Sequence, residues 1–181
     1  MEKQKQIYIL LSHSGSILSK LINIYTRKNY THVSLGLDKD LDELYSFGRL
    51  RPYNPVLGGF IKEDILNGTY NRFPNTKCAI YLLTVTKSQY ERLEVEIEKF
   101  KKEQEKYRYN LLGLVGVMIN RPVHREYSYF CSQFVSEVLS NSGINIIQKT
   151  PSLTCPVDFL ECEELEIVYE GALKEYKLKT S

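Results

Sequence analysis

The sequence is poor in the residues that build metal centres and disulfide scaffolds. Only four cysteines occur in 181 residues, at positions 78, 131, 155 and 162, and no two of them form a C-x-x-C pair. That spacing excludes a zinc knuckle or a thioredoxin-type motif, and four cysteines in a chain of this length do not make a disulfide framework. A surplus of either charge is also missing, with 24 Lys+Arg against 22 Asp+Glu. A nucleic-acid partner is therefore not expected, because such binders concentrate a basic excess on one face. Long apolar runs are lacking too. Ile7–Leu11 is shorter than the apolar stretch of a secretory signal, and Leu111–Ile119 falls far below the ~20 residues that span a bilayer. The expectation is a reduced, cytoplasmic protein without a membrane span. Neither an internal repeat nor a low-complexity tract is found.

What is present suits one folded core. Hydrophobic residues make up 43% of the chain and charged residues 25%, so residues 1–181 are read as a single domain. Ile7–Leu11 is a continuous apolar run of strand length, ending in the turn-like Ser12-His13-Ser14-Gly15. Ile17, Leu18, Leu21, Ile22 and Tyr25 recur at helical spacing and predict an amphipathic helix over residues ~16–27. Val33, Leu35 and Leu37 then alternate with His32, Ser34 and Gly36, as in a strand with one buried face. Glu43–Phe47 resumes an extended pattern, which makes an antiparallel hairpin. Pro52, Pro55, Pro74, Gly58-Gly59 and Gly68 mark residues ~50–75 as a long irregular excursion.

Cys78–Val85 reads as a central strand. Thr86 and Gln89 form a capping-box pattern before a helix whose apolar stripe is Tyr90, Leu93, Ile97 and Phe100. The mixed charges from Glu91 to Lys106 belong to its solvated side. Tyr109–Ile119 predicts a buried helix despite Gly113 and Gly116. Phe134, Val135, Val138 and Leu139 mark another, ended by Asn141-Ser142-Gly143, and Leu165–Tyr169 supplies a late strand. Strands flank the helical region without β-α-β alternation, which favours an α+β class.

A thiol attacks a carbonyl efficiently only as thiolate, and an ordinary cysteine of pKa ~8.5 is mostly protonated at neutral pH. Cys131 falls in the first turn of its predicted helix, where unsatisfied N–H groups favour a thiolate and can also stabilise an oxyanion. An imidazole within reach would take the thiol proton. Three histidines are available, His13 in a turn, His124 in a loop and His32 at the head of a strand. A strand end holds a side chain firmly yet accessibly, so His32 is the preferred base.

Thr31-His32-Val33-Ser34-Leu35 and Tyr129-Phe130-Cys131-Ser132-Gln133-Phe134-Val135 resemble the histidine and cysteine boxes of the permuted NlpC-type papain-like family. They are similar in particular to the YaeF/YiiX amidase-like group and, more distantly, to lecithin:retinol acyltransferase. Ser14-Gly15-Ser16 and Tyr30-Thr31 belong to the same likeness, and the order, His32 before Cys131, is the permuted one. The resemblance implies a circularly permuted papain-like (NlpC-type) fold, with an antiparallel sheet packed against helices. It also implies Cys131 as nucleophile, His32 as base, and a third polar residue on the following strand that orients the imidazole.

Aligning the hairpin puts that third role at Ser46 or, less closely, Glu43. A histidine, asparagine or acidic residue is usual there, and Glu63 from the long excursion is a candidate replacement. The implied activity is a cysteine hydrolase, amidase- or peptidase-like, working through a thioester on a small-molecule, peptide or acyl-amide substrate, without metal or organic cofactor. The alternatives are an acyltransferase of the same fold and a non-catalytic binding module that retains the cleft.

Overall fold

The structure, a computed structural model, describes residues 3–14, 30–51 and 54–180. In chain order they form β1 (Gln4–His13), β2 (His32–Gly36), β3 (Leu44–Arg51), β4 (Asn54–Lys62), a short helix α1 (Thr69–Arg72) and β5 (Lys77–Thr86). There follow α2 (Lys87–Lys102), β6 (Arg108–Tyr109), α3 (Leu111–Met118), β7 (Ser128–Tyr129), α4 (Cys131–Asn141), β8 (Glu166–Ala172) and α5 (Leu173–Thr180). Six strands make one sheet in the order β4-β3-β2-β1-β5-β8, and every neighbouring pair is antiparallel. β6 and β7 form a separate two-stranded parallel pair. The class is α+β. The helix predicted over residues 16–27 lies outside the described residues.

Both faces of the sheet are covered, which explains why β1 reads as an unbroken apolar run. Ile7, Ile9 and Leu11 enter the larger core with Val33 and Leu35 of β2, Leu93, Ile97 and Phe100 of α2, and Phe134, Val135, Val138 and Leu139 of α4. Tyr8 and Leu10 enter the opposite cluster with Ile65, Tyr70, Leu173 and Tyr176. Each fully buried side chain of this kind contributes roughly 1.5–3 kcal/mol of transfer free energy. The expectation of one buried face on β2 is corrected accordingly. Ser34 and Gly36 are buried as well, because the second layer covers the side that alternation had assigned to water.

Two further expectations change. Residues 50–75 are not an irregular excursion throughout, since β4 pairs along β3 in this stretch, from Tyr45↔Lys62 to Arg51↔Asn54. Antiparallel pairing at a sheet edge tolerates glycine, and Gly58-Gly59 lets β6 cross close by: a Cβ on Gly58 would stand 2.7 Å from Tyr109 Cβ, and one on Gly59 2.9 Å from the Tyr107 carbonyl oxygen. The apolar segment after Tyr109 is helical, but it is not buried. Leu111, Leu112, Val115 and Ile119 face solvent, because the inward side of α3 is the glycine side. A Cβ at Gly113 would meet Phe130 at 3.0 Å, and one at Gly116 would meet the Arg121 carbonyl oxygen at 2.5 Å.

The capping box of α2 is formed on both sides. Thr86 Oγ1 accepts from the Gln89 N–H at 3.2 Å, and the Thr86 N–H donates to Gln89 Oε1 at 2.9 Å. α4 ends at Gly143, whose φ of +76° is the left-handed conformation that glycine adopts without a steric penalty. Among the described residues, no helix is long and apolar enough to cross a membrane.

Candidate active site

Three neighbouring strands and one helix start converge on a single point. His32 is the first residue of β2 and Cys131 the first of α4, and α4 packs against β2. The β1–β2 ladder fixes the histidine backbone, with Ser12 in register opposite His32 and the Thr31 N–H donating to the Ser12 carbonyl at 3.1 Å. Ser46 lies on β3, and Glu63 directly follows β4, tied to β3 by its N–H to the Leu44 carbonyl at 2.8 Å. Residues 31 positions apart are thus brought together across β3.

The imidazole is oriented by Glu63. Its Nε2 lies 2.7 Å from Glu63 Oε1, which leaves Nδ1 as the nitrogen free to serve the thiol. Ser46 does not take the orienting position assigned to it by strand alignment; its hydroxyl donates instead to the same Glu63 oxygen. Glu43 is engaged elsewhere, accepting from Tyr45 and from the Lys62 ammonium. Behind Glu63, the Tyr70 hydroxyl bonds Ser12 at 3.3 Å and stands close enough to the carboxylate to favour its charged form. Glu63 Oε2 is buried and has no hydrogen-bond partner among the described residues. Of the other histidines, His13 contacts Thr31 Oγ1 at 3.5 Å and His124 is exposed.

The charges follow from these contacts. Burial disfavours the imidazolium, but the Glu63 carboxylate and the Cys131 sulfur outweigh it and hold the His32 pKa up at about 10. Burial likewise disfavours the Cys131 thiolate. The imidazolium, by charge and hydrogen bonding, and the backbone N–H groups of Val33 and Ser132 overcome that penalty and bring the pKa below the usual thiol value. Glu63 shows the same balance: desolvation pushes its pKa up, and His32, Ser46 and Tyr70 bring it below the ordinary carboxylate value. The other three thiols behave oppositely. Burial pushes Cys78 up to about 12, Cys162 up to about 11, and Cys155 upward.

α4 begins without a side-chain cap, since Phe130 at the N-cap offers no oxygen. Serine, threonine, asparagine or aspartate is the usual choice there. The first-turn amides are therefore not taken by a capping side chain and face the region of the sulfur. A second donor comes from β6. Tyr109 interacts with Cys131 by hydrogen bonding and charge, and burial together with that sulfur raises the phenol pKa well above its ordinary value. Neither Tyr109 nor Tyr70 was recognisable in sequence as a site residue, because nothing local to either pairs it with position 131 or 63.

Cys131 is 3% exposed, whereas the His32 side chain keeps 24% of its surface open, so the imidazole edge is the side of the pair that meets solvent. A concavity of about 290 Å³ among the described residues is lined by Gln89, Ile144, Asn145, Glu164 and Glu166, among others, and includes neither Cys131 nor His32. The carboxylates of Asp38, Asp40 and Asp42 come within 4.8 Å of one another at the far end of β2. Two of them already serve the turn: Asp38 accepts the N–H groups of Asp42 and Glu43, and Asp42 pairs with Lys177.

Comparison with protein-family models, with curated proteins and with solved structures finds no match to this chain.

Proposed function

We propose that this chain is a cysteine hydrolase of the permuted papain-like (NlpC-type) class, acting on an amide or ester through a thioester-linked acyl-enzyme. The observation that carries the proposal is the Cys131–His32–Glu63 relay, in which a carboxylate 2.7 Å from Nε2 fixes the ring beside the sulfur. The chain order supports the permuted class, with the histidine strand preceding the cysteine helix and an antiparallel sheet packed against that helix.

In the resting enzyme the pair is thiolate and imidazolium. Cys131 Sγ attacks the carbonyl carbon, forming the carbon–sulfur bond and placing negative charge on the carbonyl oxygen. The first-turn amides of α4 and the Tyr109 hydroxyl are the donors on hand for that oxygen. The imidazolium passes its proton to the leaving nitrogen or oxygen as the bond to it breaks, which leaves a thioester and a neutral ring. Acylation also removes the sulfur charge that helped raise the His32 pKa. The neutral ring is then a better match for taking a proton from water, which attacks the thioester and releases the acid. Glu63 holds the tautomer and stabilises the ring's charge in both half-reactions.

Against a binding module that lost turnover stands the carboxylate of Glu63 beside the imidazole, which can stabilise its charge as a serine hydroxyl cannot. The test is a 4-nitrophenyl ester with mass analysis of the quenched protein. The expected result is a burst of nitrophenolate and an acyl adduct on Cys131, both lost in Cys131→Ser and His32→Ala. An adduct on another residue, or an undiminished burst in either variant, rejects the proposal.

A further inference from the structure

We infer that Arg49 forms the anion-binding end of the substrate site, so that the molecule acted on carries a carboxylate or phosphate group. This rests on the thiol-hydrolase reading and names a substrate class within it. Arg49 lies on β3 in register with Gly58 of β4, and Gly58 is the position on which Tyr109 sits, close enough that a Cβ there would stand 2.7 Å from Tyr109 Cβ. Tyr109 in turn reaches the Cys131 sulfur. Arg49 therefore flanks the nucleophile on the tyrosine side, one strand pair away.

Its surroundings favour a bound anion. The Arg49 and Arg72 guanidinium carbons each lie 5.6 Å from the centre of the Phe73 ring, so two like charges are gathered around one aromatic ring. Arg49 is partly buried, and among the described residues it has no carboxylate partner. Three other cations, by contrast, are paired: Lys62 with Glu43, Lys149 with Asp158 and Lys177 with Asp42. Burial and the neighbouring Arg72 both work against the charge on Arg49, and an incoming anion would relieve both. A guanidinium on a ring face keeps its planar edge available for two parallel bonds to a carboxylate or phosphate.

The test uses three esters of one leaving group: 4-nitrophenyl hexanoate, 4-nitrophenyl hydrogen adipate and the 4-nitrophenyl ester of 5-phosphonopentanoic acid. The unmodified protein is expected to prefer one or both anionic esters over the neutral one by about tenfold in kcat/KM, the scale of one charged hydrogen-bonding contact. The ratio of the two anionic arms separates carboxylate from phosphate recognition. In Arg49→Gln that preference disappears, carried by KM. In Arg49→Lys, which keeps the charge and loses the fork, it falls partway. Equal turnover of neutral and anionic esters, or a preference that survives Arg49→Gln, overturns the inference.

A second readout needs no turnover. Adipate or inorganic phosphate is expected to slow alkylation of Cys131 by iodoacetamide in the unmodified protein and not in Arg49→Gln. Protection without ester turnover would leave anion binding standing and remove the hydrolase. Turnover without protection or anion preference would do the reverse.

Discussion

Glu63 Oε1 lies 2.7 Å from His32 Nε2, and Ser46 donates to that same oxygen. A carboxylate in this place stabilises an imidazolium, which a serine hydroxyl does not. Glu63→Gln keeps the shape and loses the charge. It is expected to lower kcat/KM by on the order of 10²–10⁴-fold, the range seen when a triad carboxylate is neutralised. Ser46→Ala leaves the charge in place and should cost far less. Steady-state kinetics on a 4-nitrophenyl ester gives both numbers, and a Ser46→Ala loss as large as that of Glu63→Gln would return the orienting role to Ser46.

The ionisations predict the pH profile. On the proposed mechanism activity needs the thiolate, so it rises as pH climbs through the lowered pKa of Cys131. It also needs the imidazolium, so it falls as His32 loses its proton near pH 10. The kcat/KM profile of the free enzyme should be a broad bell whose acid limb lies below the ordinary thiol range. In Glu63→Gln the alkaline limb moves down toward the usual imidazole value of 6.5. An alkaline limb that stays put would mean that another group sets it.

Tyr109, which lies close enough to the Cys131 sulfur for its charge to raise the phenol pKa, sits where β6 crosses Gly58 at close range. Gly58→Ala puts a methyl 2.7 Å from Tyr109 Cβ and 3.0 Å from the Gly48 carbonyl oxygen, and neither is the yielding tip of a long side chain. The strand must shift, carrying Tyr109 away. Gly58→Ala and Tyr109→Phe are both expected to lower kcat by about tenfold or more, as loss of a single oxyanion donor does. Unchanged kcat in Tyr109→Phe would remove the phenol from the chemistry.

Thr86→Ala tests the fold apart from the site. It removes the side-chain acceptor at the start of α2, and the expected loss is about 1 kcal/mol in denaturant unfolding. The rate of Cys131 alkylation should not change.

Much of the fold was legible because its signals are local. The period-2 pattern at His32–Leu37, the Thr86/Gln89 box and the apolar spacing of Phe134–Leu139 each fix an element without reference to distant residues. Cys131 and His32 were singled out in the same way, from a helix start and a strand head. What local pattern does not encode is which side of an element the rest of the chain covers. Ser34 is buried on the side of the sheet that α1 and α5 cover, and α3 turns Leu111 and Leu112 outward while Gly113 and Gly116 make close contacts inward. The same reason left the imidazole's partner open among Ser46, Glu43 and Glu63. Glu63 follows a strand that the prolines and glycines disguised, and its approach to His32 is fixed by pairing across β3.

The most direct test of the central claim is the rate at which each cysteine is alkylated by iodoacetamide near pH 6, followed residue by residue by mass spectrometry. A thiolate–imidazolium pair predicts that Cys131 reacts at least about tenfold faster than Cys78, Cys155 and Cys162, and that His32→Ala abolishes the difference. Uniformly slow labelling, or a Cys131 preference that survives His32→Ala, would contradict it.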